Sequence, residues 1–177
     1  QRMSNKNGSA QQDESSTPRQ MPKLRFPEFL DAPEWEERQL KYVCQMQAGK
    51  FVAASEIQEK AGDGLFPCFG GNGLRGFTKT HTGTYPLIGR QGALCGNIRL
   101  AMGKFHATEH AIVTSPKNNI DTAWLFYKLT KLNLNQYATG QAQPGLSVEN
   151  LEKITITVPL NEKEQKKSPP VFLPSMN

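Results

Sequence analysis

The chain has 177 residues, a net charge of +5 at neutral pH and 37% hydrophobic residues. That length supports one domain with its own core, while the apolar content is low for a chain that is compact from end to end. No run of 18 apolar residues occurs, so no membrane-spanning helix is expected, and without a charged-then-apolar leader neither is secretion.

The first 22 residues, QRMSNKNGSAQQDESSTPRQMP, are almost devoid of apolar side chains and are expected to be disordered. The segment from Pro22 to Pro33, PKLRFPEFLDAP, contains three prolines and predicts an extended arm. WEERQLKYVCQM follows with mixed periodicity, and Trp35, Leu40, Tyr42 and Val43 open the first ordered element, read as a strand after a short turn. SEIQEKAG, residues 55–62, has Ser55 as an N-cap and Gly62 as a stop, which predicts a short helix or a helical turn.

From Leu65 to Val113 the signals are β, with YPLIGR, NIRLAMG and HAIVTS as the clearest strands. Asp121 to Leu134, DTAWLFYKLTKLNL, is the strongest helix, with Asp121 as its cap and Trp124, Phe126 and Tyr127 read as core rather than as a base-stacking platform. A polar loop from Thr139 to Ser147, TGQAQPGLS, leads to the alternating strand ITITVPL. The tail is charged and then rich in proline, with Pro169, Pro170 and Pro174 disfavouring any helix beyond Lys167.

Residues 69–98 carry the most information. They include eight glycines, the cations Arg75, Lys79 and Arg90, and no acid. Over residues 72–131 there are eight Lys/Arg against two acids, a balance of +6, whereas residues 31–64 have four against seven, a balance of −3. Such asymmetry fits a polyanionic partner.

Gly71-Asn-Gly-Leu-Arg-Gly76 matches G-x-G-x-x-G, but no helix pattern follows and no Asp or Glu lies between Gly64 and Glu109. A dinucleotide site needs both, so the motif reads as a tight turn. His106 and His110 lack a convincing third metal ligand among His81, Cys95 and Glu109. A Cys95/His106 nucleophile pair lacks an orienting group. The three cysteines, Cys44, Cys68 and Cys95, form no CxxC pair and suggest a reduced, cytoplasmic setting. Arg75, Lys79, Arg90, Gln91, Lys104, Gln141 and Gln143 lie in or beside predicted loops, where side chains reach ligands. Arg and Gln have the forked ends that read guanine and adenine edges. With Asn72 and His106 they make up the candidate DNA contacts.

The blocks PKLRFPEF, WE, FPCFGGNGLRG, LIGRQGALCGNI, ATEHAIV and TGQAQPGLSVENLEKITITVPLNEKEQ, in that order, resemble the target recognition domain of type I restriction–modification specificity subunits. The likeness runs from Pro22 to Lys166. It implies a non-catalytic component that reads one half of a split double-stranded DNA target. It implies a methyltransferase subunit as partner and, through the complex, a restriction subunit. S-adenosylmethionine, ATP and magnesium would belong to those partners. The family continues into a long spacer helix after Glu-Gln. Here Ser168-Pro-Pro follows, so a truncated or rearranged single-domain form is expected.

The expected fold is α+β, a curved, mostly antiparallel β structure packed by the Asp121 to Leu134 helix. Residues 1–22 are expected to form a disordered tail, 23–166 the recognition domain, and 167–177 a Pro-rich disordered tail in place of the spacer. Two other readings compete: a truncated non-functional, structural or partner-interaction fragment that no longer binds DNA, and a metal- or nucleotide-dependent enzyme built on the glycine-rich and histidine region. Metal content separates the enzyme from the others, and a DNA-binding assay separates the remaining two.

Overall fold

The computed structural model describes residues 19–20, 22, 25–63, 65–71, 73–78 and 81–167. Residues 1–18 and the Pro-rich segment 168–177 lie outside the described residues, as do Asn72 and Lys79. Among the described residues no helix is long and apolar enough to cross a membrane.

Strand β1 is the short Arg19–Gln20, and the mixed periodicity of WEERQLKYVCQM resolves into three further elements: β2 is Trp35–Gln39, a one-turn helix α1 is Leu40–Val43, and the last residues begin β3, Cys44–Ala48. Leu40 and Val43 are buried at helical spacing, and Cys44 and Met46 at strand spacing. Neither period could therefore dominate the stretch. Arg19–Gln20 pairs with Glu36 and Trp35, although it lies within the stretch expected to be disordered.

The arm from Pro22 is not extended throughout. Pro27–Phe29 forms a 3-10 turn and Phe29 is buried. The helix expected over 55–62 is a single 3-10 turn, Ala54–Glu56. No side chain caps it, and its C-cap Ile57 is already extended, so the short segment lacks the bonds to nucleate a helix.

The remaining strands are β4 (Phe66–Gly70), β5 (Gly73–Thr78), β6 (His81–Gly89), β7 (Ile98–Ala107), β8 (Ala111–Pro116) and β9 (Thr155–Val158). They form a six-stranded sheet in the order β3-β8-β6-β7-β4-β5 and a three-stranded sheet in the order β1-β2-β9. All pairings are antiparallel except the short β4–β7 contact, Cys68↔His106 and Phe69↔Ala107. The α+β, mostly antiparallel expectation holds.

The curvature has a local cause. His81 faces Phe105 and Gly89 faces Ala111, on opposite sides of β6. A straight β6 would set its ends about 26 Å apart, yet six residue steps from Phe105 to Ala111 reach at most about 21 Å. The β6–β7 ribbon must therefore bend. Gly83 and Gly103 stand opposite each other within it, with φ of +147° and +77°. Glycine alone adopts such angles without strain. The curl encloses Leu87, Ala101, Phe105, Ala107 and Ala111 as one core cluster, with Phe69, Tyr85 and Val113 packed against it.

The other, larger core lies under α2 (Thr122–Lys131) and α3 (Val148–Glu152). Asp121 caps α2 as expected, its Oδ1 accepting from the Trp124 amide at 2.8 Å. Trp124, Leu125 and Leu129 are buried. The helix stops at Lys131 rather than Leu134, because Asn133 takes a left-handed conformation and Leu134–Tyr137 continues as a 3-10 turn. Ser147 caps α3 through the Asn150 amide, and α4 (Glu162–Lys167) closes the described chain.

Candidate nucleic-acid interface

Two loops remote in sequence are joined edge to edge. Gln91 bridges Gly145, and Thr139 and Gly145 exchange both backbone hydrogen bonds at 2.9 Å. The Gly92 amide donates to the Pro144 carbonyl at 3.0 Å, and the Leu146 amide to the Arg90 carbonyl at 2.8 Å. The Arg90 Nε adds a bond to the Leu146 carbonyl at 3.3 Å. Segments 90–97 and 139–147 therefore form one surface. Neither carries an acid.

Within the first loop the chain turns back on itself, with the Cys95 amide on the Gly92 carbonyl and the Asn97 amide on the Leu94 carbonyl. Asn135 pins this turn from the side, donating through Nδ2 to the Cys95 carbonyl at 2.9 Å and to its Sγ at 3.4 Å. Gly96 has φ +88°, and a Cβ there would stand 2.5 Å from the Asn135 nitrogen. Asn135 is absent from the sequence-based candidates. A polar residue just after a helix offers no sign that it braces a loop 40 positions earlier.

The sequence candidates are therefore divided by the fold. Arg90, Gln91, Gln141 and Gln143 come together on the paired loops: the three glutamines are exposed, and Arg90 is half-buried and partly spent on holding the second loop. Lys104 is exposed but stands opposite Thr82, toward the far end of the β6–β7 ribbon from Arg90, with its Nζ 5.2 Å from the centre of the Phe66 ring. His106 is 3% exposed and donates through Nε2 to the Lys50 carbonyl at 3.0 Å. It belongs to the interior, not to a DNA-facing surface. Arg75 lies on β5, where only its backbone is described, and Asn72 and Lys79 fall outside the described residues.

The excess of cations over residues 72–131 is not one patch. Lys117 donates to the Lys41 carbonyl at 2.7 Å, and Lys131 lies over the Tyr127 ring. Lys128 is half-buried against Thr157, and burial pushes its ammonium below the ordinary lysine range. Arg99 and Lys104 remain exposed on β7.

The glycines also serve the fold more than a ligand. A Cβ on Gly89 would stand 2.4 Å from the Gly71 carbonyl oxygen, and one on Gly49 would stand 2.1 Å from that of Ala107. The backbone they admit is the chain's own. Gly71 sits in the turn of the β4–β5 hairpin, so the G-x-G-x-x-G run is a β-turn and a strand. Gly92 and Gly103 are exceptions, with φ +84° and +77° and open space where a Cβ would stand.

The catalytic alternatives find little geometry. Among the described residues no three His, Cys, Asp or Glu side chains converge as a metal site. His110 faces Glu109 at 3.0 Å, away from the buried partner of His106. Cys95 is buried beside Asn135, and burial pushes the Cys44 thiol up to about 12. The Cys44 thiol, held protonated, is no nucleophile.

The model of the type I restriction modification DNA specificity domain matches residues 33–168. The specificity subunit of the type I restriction enzyme EcoprrI from Escherichia coli is 45% identical over 137 residues, which cover 76% of this chain and 34% of that subunit. The chain thus spans about a third of the length of that relative. Among solved structures, the type I restriction–modification S subunit from M. genitalium superimposes with a TM-score of 0.70 at 20% identity, over 84% of this chain and 40% of that one. The HsdS subunit from Thermoanaerobacter tengcongensis gives 0.58 at 20% identity, over 82% and 37%. These likenesses support the fold, and the match over residues 33–168 establishes that the chain belongs to the type I restriction modification DNA specificity domain family.

Proposed function

We propose that this chain binds double-stranded DNA sequence-specifically, as the specificity component of a type I restriction–modification system. It reads one half of a bipartite target. It directs a methyltransferase subunit there and, through the complex, a restriction subunit. The recognition unit is residues 23–166. The chain itself makes and breaks no bond; S-adenosylmethionine, ATP and magnesium serve the partner subunits, and the assembly works in the cytoplasm.

The observation that carries this reading is the union of the two acid-free loops, 90–97 and 139–147, which presents Gln91, Gln141 and Gln143 on a braced backbone. Base readout needs forked polar groups at fixed positions. Phosphate contacts need cations that position without reading sequence, and exposed Arg99 and Lys104 are of that type.

Selection of bound sequences from a random duplex pool, followed by a salt titration on the enriched duplex, tests the reading. One sequence should be enriched. Six phosphate contacts would give a slope of about −5 in log affinity against log salt. No enrichment, with affinity unchanged by salt, would overturn it.

A further inference from the structure

We infer that Leu94 and Gln91 read a single A·T base pair from the major groove, with Leu94 against the thymine methyl and the Gln91 amide on adenine. The inference rests on the DNA-binding reading above and names two side chains that contribute to its specificity.

Leu94 is 49% exposed. An exposed leucine alone says little, but this one stands on a turn fixed from three sides. The next residue, Cys95, points inward and is 2% exposed. Asn135 holds the Cys95 carbonyl. Gly92 is tied to Pro144, and the Asn97 amide closes back on the Leu94 carbonyl. The sequence thus devotes an inward anchor, two left-handed glycines and a bracing asparagine to a turn whose outward residue is apolar.

Gln91 lies three residues earlier on the same loop. Its backbone is committed to the bridge with Gly145, while its side chain is exposed. Both side chains therefore project from a backbone that need not be ordered on binding. In the major groove an A·T pair offers adenine N7 and N6 to a glutamine amide, and its thymine C5-methyl to an apolar group. No other base pair offers both. The absence of any acid from the two loops leaves no charge to repel the phosphates beside that pair.

The test uses the full chain and the duplex enriched from the random pool, with each thymine replaced in turn by uracil, which lacks only the methyl. At one position uracil should weaken wild-type binding about three- to five-fold, as expected for one buried methyl. Leu94→Ala should weaken binding to the thymine duplex by a similar factor and show no further loss with uracil. Leu94→Met, which keeps an apolar tip, should retain the uracil effect. If no thymine is sensitive, or if Leu94→Ala remains as sensitive as wild type, the inference is wrong while DNA binding stands. If no duplex is enriched at all, the DNA-binding reading itself fails.

Discussion

Arg25 and Glu164 are 139 residues apart in sequence and meet as a two-pronged pair in the interior: Nε to Oε1 and Nη2 to Oε2, each at 2.7 Å, with both side chains only 2% exposed. Trp35 Nε1 donates to the same Oε1 at 2.9 Å, and the guanidinium also donates to the Ala32 and Pro33 carbonyls. This cluster fastens the N-terminal segment, β2 and α4 together. Beside it, Gln165 ties α4 to the start of α2, accepting from the Asp121 amide at 2.8 Å and donating to the Asn119 and Pro159 carbonyls.

Removing one member of such a pair leaves a buried charge without its partner, which costs about 3–5 kcal/mol. Arg25→Met should therefore lower the stability measured by urea denaturation by roughly that amount. The double change Arg25→Met/Glu164→Leu should recover most of it, since an apolar pair of similar volume needs no desolvation. Equal losses in the single and double variants would show that the ion pair itself is stabilising.

The same carboxylate sets an acid limit. Burial alone would raise the Glu164 carboxyl, but the hydrogen bonds from Arg25 and Trp35 and the Arg25 charge hold it below its ordinary value of 4.5. A group depressed in the folded state contributes stability above its unfolded pKa and loses it as pH falls through the folded one. Wild-type stability should thus decline as pH drops below about 4.5, and Glu164→Gln should flatten that part of the profile. Denaturant midpoints measured against pH check this.

Gly92 and Gly96 flank Leu94 with similar left-handed φ angles, +84° and +88°, but different surroundings. Gly92→Ala should cost about 1–2 kcal/mol, the backbone penalty alone. Gly96→Ala should cost more, because its Cβ would also meet the Asn135 backbone. Thermal melts of the two variants compare them directly.

His106→Ala should behave as a core change. It removes a buried ring and strands the Lys50 carbonyl, so stability should fall by about 1–3 kcal/mol, while the folded fraction binds duplex with unchanged affinity. A loss of DNA affinity without a loss of stability would return His106 to the interface.

Lys104→Ala should weaken binding to enriched and random duplexes alike, because a cation against phosphate reads no base. Arg90→Ala should act differently. Its Nε holds the Leu146 carbonyl, so its loss loosens the second loop and erodes preference for the enriched duplex, by roughly 1–3 kcal/mol. Competition titrations on both duplexes distinguish the two, and equal effects of both substitutions would deny the division of labour.

Local chemistry was legible in the sequence where the determinant lies within a few residues. The Asp121 cap and the strands around YPLIGR, NIRLAMG and HAIVTS were foreseen, because capping and alternation are short-range signals, whereas the Ser147 cap of α3 was not. The ordered family blocks also pointed to the DNA specificity domain. What the sequence could not convey was which loops meet. The union of Arg90 with Leu146, and of Gln91 with Gly145, depends on a ribbon bent at Gly83 and Gly103 and on Asn135 reaching back to Cys95. The same folding buried His106 and dispersed a cation excess that looked continuous along the chain. Charge and residue type are properties of the sequence, but exposure and neighbourhood arise only when backbone hydrogen bonds and core packing bring distant segments together.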